Sequence, residues 1–134
     1  MSKPKAVNTI IKEMLEHVGI EDVYDFPPSA LDCACPIVVT PGTYEQTDVL
    51  EDCEYGTVKM EVIAVRETRD VALSAISKVI YALHQADWER WGDDTFAIRK
   101  IQAVGLPKAI GKDESGRNVM KEHIMTEVVV ARSD

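Results

Sequence analysis

The tetrapeptide Asp113-Glu114-Ser115-Gly116 constrains this chain more than any other feature. Aspartate, serine and glycine form turns because they bond the local backbone or tolerate positive φ. β-patterned stretches flank it at residues 95–104 and 118–131. Strands joined this way pair antiparallel, so the pattern predicts one long hairpin with residues 105–117 at its far end. A sheet containing it is not purely parallel. In the last strand Ile124, Val128 and Val130 alternate with His123, Met125 and Val129. Val128-Val129-Val130 is apolar on both faces, which predicts a central position. In the strand before it, Phe96 and Ile98 share one parity, whereas Ile101 and Ala103 have the other. That slip predicts a bulge near Arg99-Lys100.

Two segments upstream carry the helical period. Over residues 5–18, Val7, Ile10, Ile11, Met14, Leu15 and Val18 form one stripe, with Asn8, Lys12, Glu13 and Glu16 opposite. Ser2 or the Lys3-Pro4 step opens this helix and Gly19 closes it. Over residues 68–87, Ala72, Ala75, Ile76, Val79, Ile80 and Leu83 form a second stripe, with Thr68 or Asp70 as cap. A single stripe means that each helix lies on a larger apolar surface.

Residues 20–36 are irregular, because Pro27-Pro28 and Cys35-Pro36 forbid helix. Pro36-Ile37-Val38-Val39-Thr40-Pro41 reads as a short edge strand. The acidic run at 42–55, with Glu45, Asp48, Glu51, Asp52 and Glu54, reads as a solvated loop. Its spacing does not fit a calcium-binding loop of the EF-hand kind. Residues 57–66 form the clearest strand, with Val58, Met60, Val62 and Ala64 on one face. Ile63 and Val65 make its far end apolar on both faces, so that end is expected to be covered twice.

The expected fold is a single α+β domain over residues 1–134. It has two layers: a four-stranded, mostly antiparallel sheet with two amphipathic helices on one face, in the order α-β-β-α-β-β. The other face mixes Lys59, Glu61, Lys121 and Glu127 with Ile63, Val65, Met125 and Val129. Apolar surface left open there invites another subunit.

The sequence carries no nucleophile elbow, phosphate-binding glycine loop, dinucleotide fingerprint or zincin motif. His17, His84 and His123 stand apart from recognised partners, and the expectation is a protein that is not an enzyme and needs no cofactor. Cys33, Cys35 and Cys53 lack the second cysteine pair of a structural zinc site and read as small buried thiols in a reducing compartment. The formal charge of −8 argues against general affinity for nucleic-acid backbones. No apolar run reaches the roughly 20 residues of a membrane span, and the amphipathic pattern after Lys5 argues against a secretory signal. Trp88 and Trp91 either close the edge of the core or anchor an interface. A small-molecule pocket near Trp88, Trp91 and Tyr81 is the alternative reading, and a site pairing Cys33 or Cys53 with His84 is a third.

The layout resembles the tail terminator and head–tail joining proteins of long-tailed bacteriophages, the minor capsid or tail-completion group. Four features carry the resemblance. The first helix ends at Gly19 before Val23-Tyr24-Asp25-Phe26-Pro27, and Pro36-Ile37-Val38-Val39 leads into a polar stretch. Val62-Ile63-Ala64-Val65 runs into the helix from Thr68, and Asp113-Glu114-Ser115-Gly116-Arg117 precedes the last strand. Cys33, Cys35 and the tryptophan pair depart from the family's pattern.

The resemblance implies a non-enzymatic assembly protein forming a hexameric ring. Such a ring caps the tail tube and meets the head connector, in the bacterial cytoplasm during assembly and at the head–tail junction afterwards. Tail tube protein, connector and further copies of itself are the implied partners. A closed ring needs two different surfaces on each subunit. The candidates are the half-apolar sheet face, with Ile63, Val65, Met125 and Val129, and the hairpin arm, with Trp88 and Trp91 as further interface residues. Arg66, Arg69, Lys108, Lys112 and Arg117 would meet Glu45, Asp48, Glu51 and Asp52 of a neighbour. An acidic lumen would repel passing DNA.

Overall fold

The computed structural model describes residues 7–92 and 95–131. The expected helix start at residues 2–6, and Asp93 and Asp94, lie outside the described residues. The chain runs α1 (Val7–His17), β1 (Val23–Tyr24), β2 (Ile37–Val39), β3 (Thr43–Val49), β4 (Cys53–Arg66), α2 (Arg69–Gln85), a 3-10 turn (Trp88–Trp91), β5 (Phe96–Lys112) and β6 (Asn118–Ala131). Among the described residues the sheet has six strands, not four, in the order β1-β2-β4-β6-β5, with β3 also on β4. Every pairing is antiparallel except β1 with β2.

Both added strands have a physical reason to read as loop. β1 is two residues long and lies beside two prolines. β3 is the acidic run expected to be a solvated loop, and every residue in it but Tyr44 is exposed. A strand wet on both faces carries no alternation to be read. It pairs with the first half of β4, while β2 pairs with the second half, so both share one flank of that strand.

The helices pack on one face, as expected. Thr68 caps α2, its hydroxyl accepting from Val71 N at 3.2 Å. Gly19, at φ 91°, ends α1, and the Ile20 amide donates back to the Leu15 carbonyl at 3.1 Å. Ile11, Met14 and Leu15 of α1 join Ala72, Ile76, Val79 and Leu83 of α2 over Val58, Met60, Val62, Ile124 and Val128. Asn8, expected on the outer face, is buried; its Nδ2 donates to the carbonyls of Asp25 and Val39 at 3.1 and 3.2 Å, tying α1 to β1 and β2. β6 pairs along its whole length with β4 and with most of β5, so it is central. The register shifts between Ile98 and Lys100, where the parity of the apolar residues slipped.

Candidate functional site

The surfaces expected to meet a neighbour lie at opposite ends of the sheet. β4 and β6 run side by side from Cys53 opposite Ala131 to Arg66 opposite Asn118. At ~3.3 Å per residue this ladder is roughly 40 Å long. At the Cys53 end the β3–β4 turn closes through Leu50 N to Cys53 O, 2.8 Å. Glu45, Asp48, Glu51 and Asp52 are exposed there, and residues 43–54 contain no lysine or arginine. At the Arg66 end the β5–β6 turn closes through Asp113, whose Oδ1 accepts from the amides of Ser115 and Arg117 at 3.0 and 2.8 Å. Gly116 takes φ 81° in this turn.

The cations expected at this end differ in availability. Lys108, Lys112 and Arg69 are exposed and Arg117 is half-buried, and none forms an ion pair among the described residues. Arg66 is not free. Its Nη1 donates to the carbonyls of Cys35 and Val65, each at 2.7 Å, and thereby fastens the irregular 25–36 segment to β4.

The open face of the sheet is partly occupied by the chain itself. Pro27, Pro28 and Cys33 share a cavity of about 210 Å³ with Val38, Ile63 and Val65, so the irregular segment lies over that end. The double cover expected for Ile63 and Val65 therefore comes in part from within the chain. Met125 and Val129 are half-buried further along. Between these patches Glu61 Oε2 bridges Lys121 Nζ and His123 Nε2, each at 3.0 Å. At the other end Arg99 stacks over Tyr55, 5.0 Å from the ring centre.

Trp88 and Trp91 are half-buried against the core. The Trp88 indole donates to the Leu83 carbonyl at 2.8 Å, and the Trp91 ring meets His17 edge-on at 5.7 Å. Trp88 thus ties the 3-10 turn to the end of α2, and Trp91 ties it to the end of α1. Neither lines the cavity that Tyr81 borders. That cavity, of about 750 Å³, lies between α1 and α2 and is walled by Val18, Ile20, Lys78, Tyr81 and Ala86. Tyr81 is 68% exposed at its side.

The sequence reading missed three features. One is the apolar edge of β5, where Val104, Leu106 and Ile110 are 50%, 82% and 52% exposed. The other two are buried carboxyls on the helix side of the sheet. Glu54, fully buried, accepts from the Tyr44 hydroxyl at 2.6 Å. Burial, and then the Glu54 carboxylate, push the Tyr44 phenol far above its usual value. Glu122 is also buried, and burial lifts its carboxyl above the usual range, against a smaller lowering by His123. The parity of both residues placed them on the buried face and was the available signal.

The cysteines are free and half-buried, not buried. Cys35 lies at the Arg66 end of β4 and Cys53 begins the opposite end, so the three thiols do not share a site. Among the described residues no three His, Cys, Asp or Glu side chains converge as a metal site. His84 stands at a cleft with Glu122 and no cysteine.

No family model matches this sequence, and no curated protein matches it. A solved structure does. The chain is similar in fold to a chain of the "Virion of native gene transfer agent (GTA) particle". The TM-score is 0.70 at 16% identity, over 95% of this chain and 98% of that chain. The likeness spans nearly the whole of both chains.

Proposed function

We propose that this protein is a virion structural protein of the bacteriophage type: a tail terminator whose copies close into a ring, cap the tail tube and join it to the head connector. The observation that carries this reading is the likeness in fold to a virion chain over nearly the whole of both chains. The resemblance to tail terminator and head–tail joining proteins supplies the finer role, the six-fold ring and the junction position.

The arrangement of charge supports head-to-tail association. A sheet with acids at one end and unpaired cations at the other cannot satisfy both from within, because the ends are roughly 40 Å apart. Copies placed in series bring Lys108, Lys112 and Arg117 of one against Glu45, Asp48, Glu51 and Asp52 of the next. A heterologous contact that repeats by rotation closes a ring. Met125 and Val129 on the open face, and the exposed edge of β5, add apolar area to the contact. Arg66 and Trp88 act inside the subunit and hold the surfaces in place.

Light scattering after size exclusion, with negative-stain microscopy, tests this. A ring whose population rises with concentration is expected; a compact monomer at all concentrations sinks the reading. Reversing Lys112 and Arg117 to glutamate is expected to weaken association at least tenfold in low salt and less in high salt. Unchanged sedimentation of that variant counts against the charged contact. The 750 Å³ cavity at Tyr81 favours a second reading, a small-molecule-binding module. A monomer stabilised against heat by an apolar ligand, with the effect lost in Tyr81→Ala, would favour it.

A further inference from the structure

Glu122 sits on β6, on the side of the sheet that the helices cover, with 1% of its surface exposed. Its Oε1 is sealed from water and has no hydrogen-bond partner among the described residues. Buried carboxyls are normally paired, because losing hydration without a substitute is costly. Glu54, the other buried carboxyl, accepts from the Tyr44 hydroxyl on Oε2, while its Oε1 likewise has no partner among the described residues. Thr126, two residues along β6 from Ile124, also lacks a partner for its hydroxyl, but it carries no charge and lines no cavity described here.

The edge strand is broken opposite Glu122. Val104 pairs with His123 and Lys108 with Lys121, so Gly105, Leu106 and Pro107 together face one residue of β6. Pro107 has no amide hydrogen for the ladder, and Gly105 takes φ 89°, which a side chain would resist. β5 bows away here, as bulged strands do. A cleft of about 350 Å³ lies between the bow and α2. Ile80, Tyr81 and His84 wall it on the helix side and Gly105 and Pro107 on the strand side, with Glu122 at its base.

We propose that this cleft receives the ammonium or guanidinium head of a lysine or arginine side chain from a second copy of this chain, with Glu122 as its counter-charge. Long basic side chains combine an alkyl stem, which suits Ile80 and Pro107, with a cationic donor, which suits a carboxyl with one oxygen left without a partner. A metal ion would ask for several oxygen ligands, and the cleft offers one carboxylate. Two observations point to a copy of the chain. The mouth opens at the free edge of the sheet, beside exposed Val104, Leu106 and Ile110, and a protein partner covers such an edge whereas a free ion does not. Each copy also carries an exposed cation, Arg69, that forms no ion pair among the described residues and takes no part in the contact between the two ends of the sheet. The source of the guest rests on the ring reading; the cleft itself does not.

The test follows the Glu122 carboxyl carbon by NMR through a pH titration, assigned by comparison with Glu122→Gln, with and without n-butylammonium chloride. Butylammonium is expected to lower the Glu122 midpoint by at least one pH unit in a saturable way, while sodium chloride of equal ionic strength leaves it in place. A midpoint that butylammonium does not move overturns the cleft as a cation receptor, whatever the oligomeric state. Sedimentation equilibrium at pH 8, where an unperturbed histidine is neutral, then reads the source. Glu122→Gln is expected to weaken self-association at least tenfold, and excess butylammonium to compete in the unmutated protein. Rings that form equally well in both conditions overturn the second copy as the source and leave the assembly reading standing. An unmutated protein that binds butylammonium yet stays monomeric overturns that source and the ring reading together.

Discussion

The two faces of β6 belong to one strand and differ in every respect that packing controls. Met120, Glu122, Ile124, Thr126, Val128 and Val130 point toward the helices, and all are buried. Lys121, Met125, Glu127 and Val129 point the other way and are half-buried, with His123 exposed. The helix side is apolar except for Glu122 and Thr126, whereas the open side is a mosaic of ion pairs and isolated apolar side chains. The difference teaches where stability resides and where association is available. A sealed face gains from tight packing, while a mosaic face keeps the monomer in solution and still offers area to a partner.

The largest effect that would break this comparison comes from truncating neighbours on opposite faces. Ile124→Ala is expected to cost about 2–5 kcal/mol in urea unfolding, because it empties space beneath α2. Met125→Ala is expected to cost about 1 kcal/mol or less, being half in water already. Equal costs would mean that the open face is as sealed as the other. Next comes Gly56→Ala on the helix side of β4. A Cβ there would stand 2.6 Å from the Tyr44 ring, which is anchored by its bond to Glu54. Overpacking of this kind costs about 1–3 kcal/mol, and circular dichroism melts would show it.

Glu122→Gln sharpens the comparison through pH. Burial favours the protonated carboxyl in the folded chain, so the folded state binds this proton more tightly than the unfolded state. The contribution is therefore present at low pH and is lost as pH rises through the raised value. Glutamine stays neutral, so the variant is expected to gain stability relative to the parent between pH 5 and pH 8. Urea midpoints at the two pH values check the sign, and an advantage that shrinks as pH rises would contradict the burial argument. The smallest effect belongs to Glu61→Gln on the open face. Breaking its bridges to Lys121 and His123 is expected to cost under about 1 kcal/mol, and less in high salt.

Periodicity made the core legible. Val7, Ile11, Met14 and Leu15 on α1, Ala72, Ile76, Val79 and Leu83 on α2, and Val58, Met60, Val62 and Ala64 on β4 are buried where their spacing put them, whereas Val18, at the end of the α1 stripe, is exposed. The cap at Thr68, the end of α1 at Gly19 and the bulge after Ile98 followed from local chemistry. Signals failed where burial was absent or borrowed. β3 has no buried stripe to display, because β4 covers one edge of it and water covers both faces. Asn8 looked like an outward residue, since only the folded chain brings the Asp25 and Val39 carbonyls to it. Arg66 looked like a free cation until the carbonyls of the irregular segment closed around it.

By itself the sequence determined most of the residues that turn inward, where α1 ends and α2 begins, and that the last two strands form an antiparallel pair. Those outcomes depend on neighbours a few positions apart, and a chain carries that information in its spacing. Only the tertiary structure decided that the acidic β3–β4 turn and the cations Lys108, Lys112 and Arg117 stand at opposite ends of one ladder and that the irregular segment lies over Ile63 and Val65. It likewise placed Glu122 against a gap in the edge strand. Each depends on strand register and on loops meeting across the fold, which bring together residues tens of positions apart whose spacing encodes no contact.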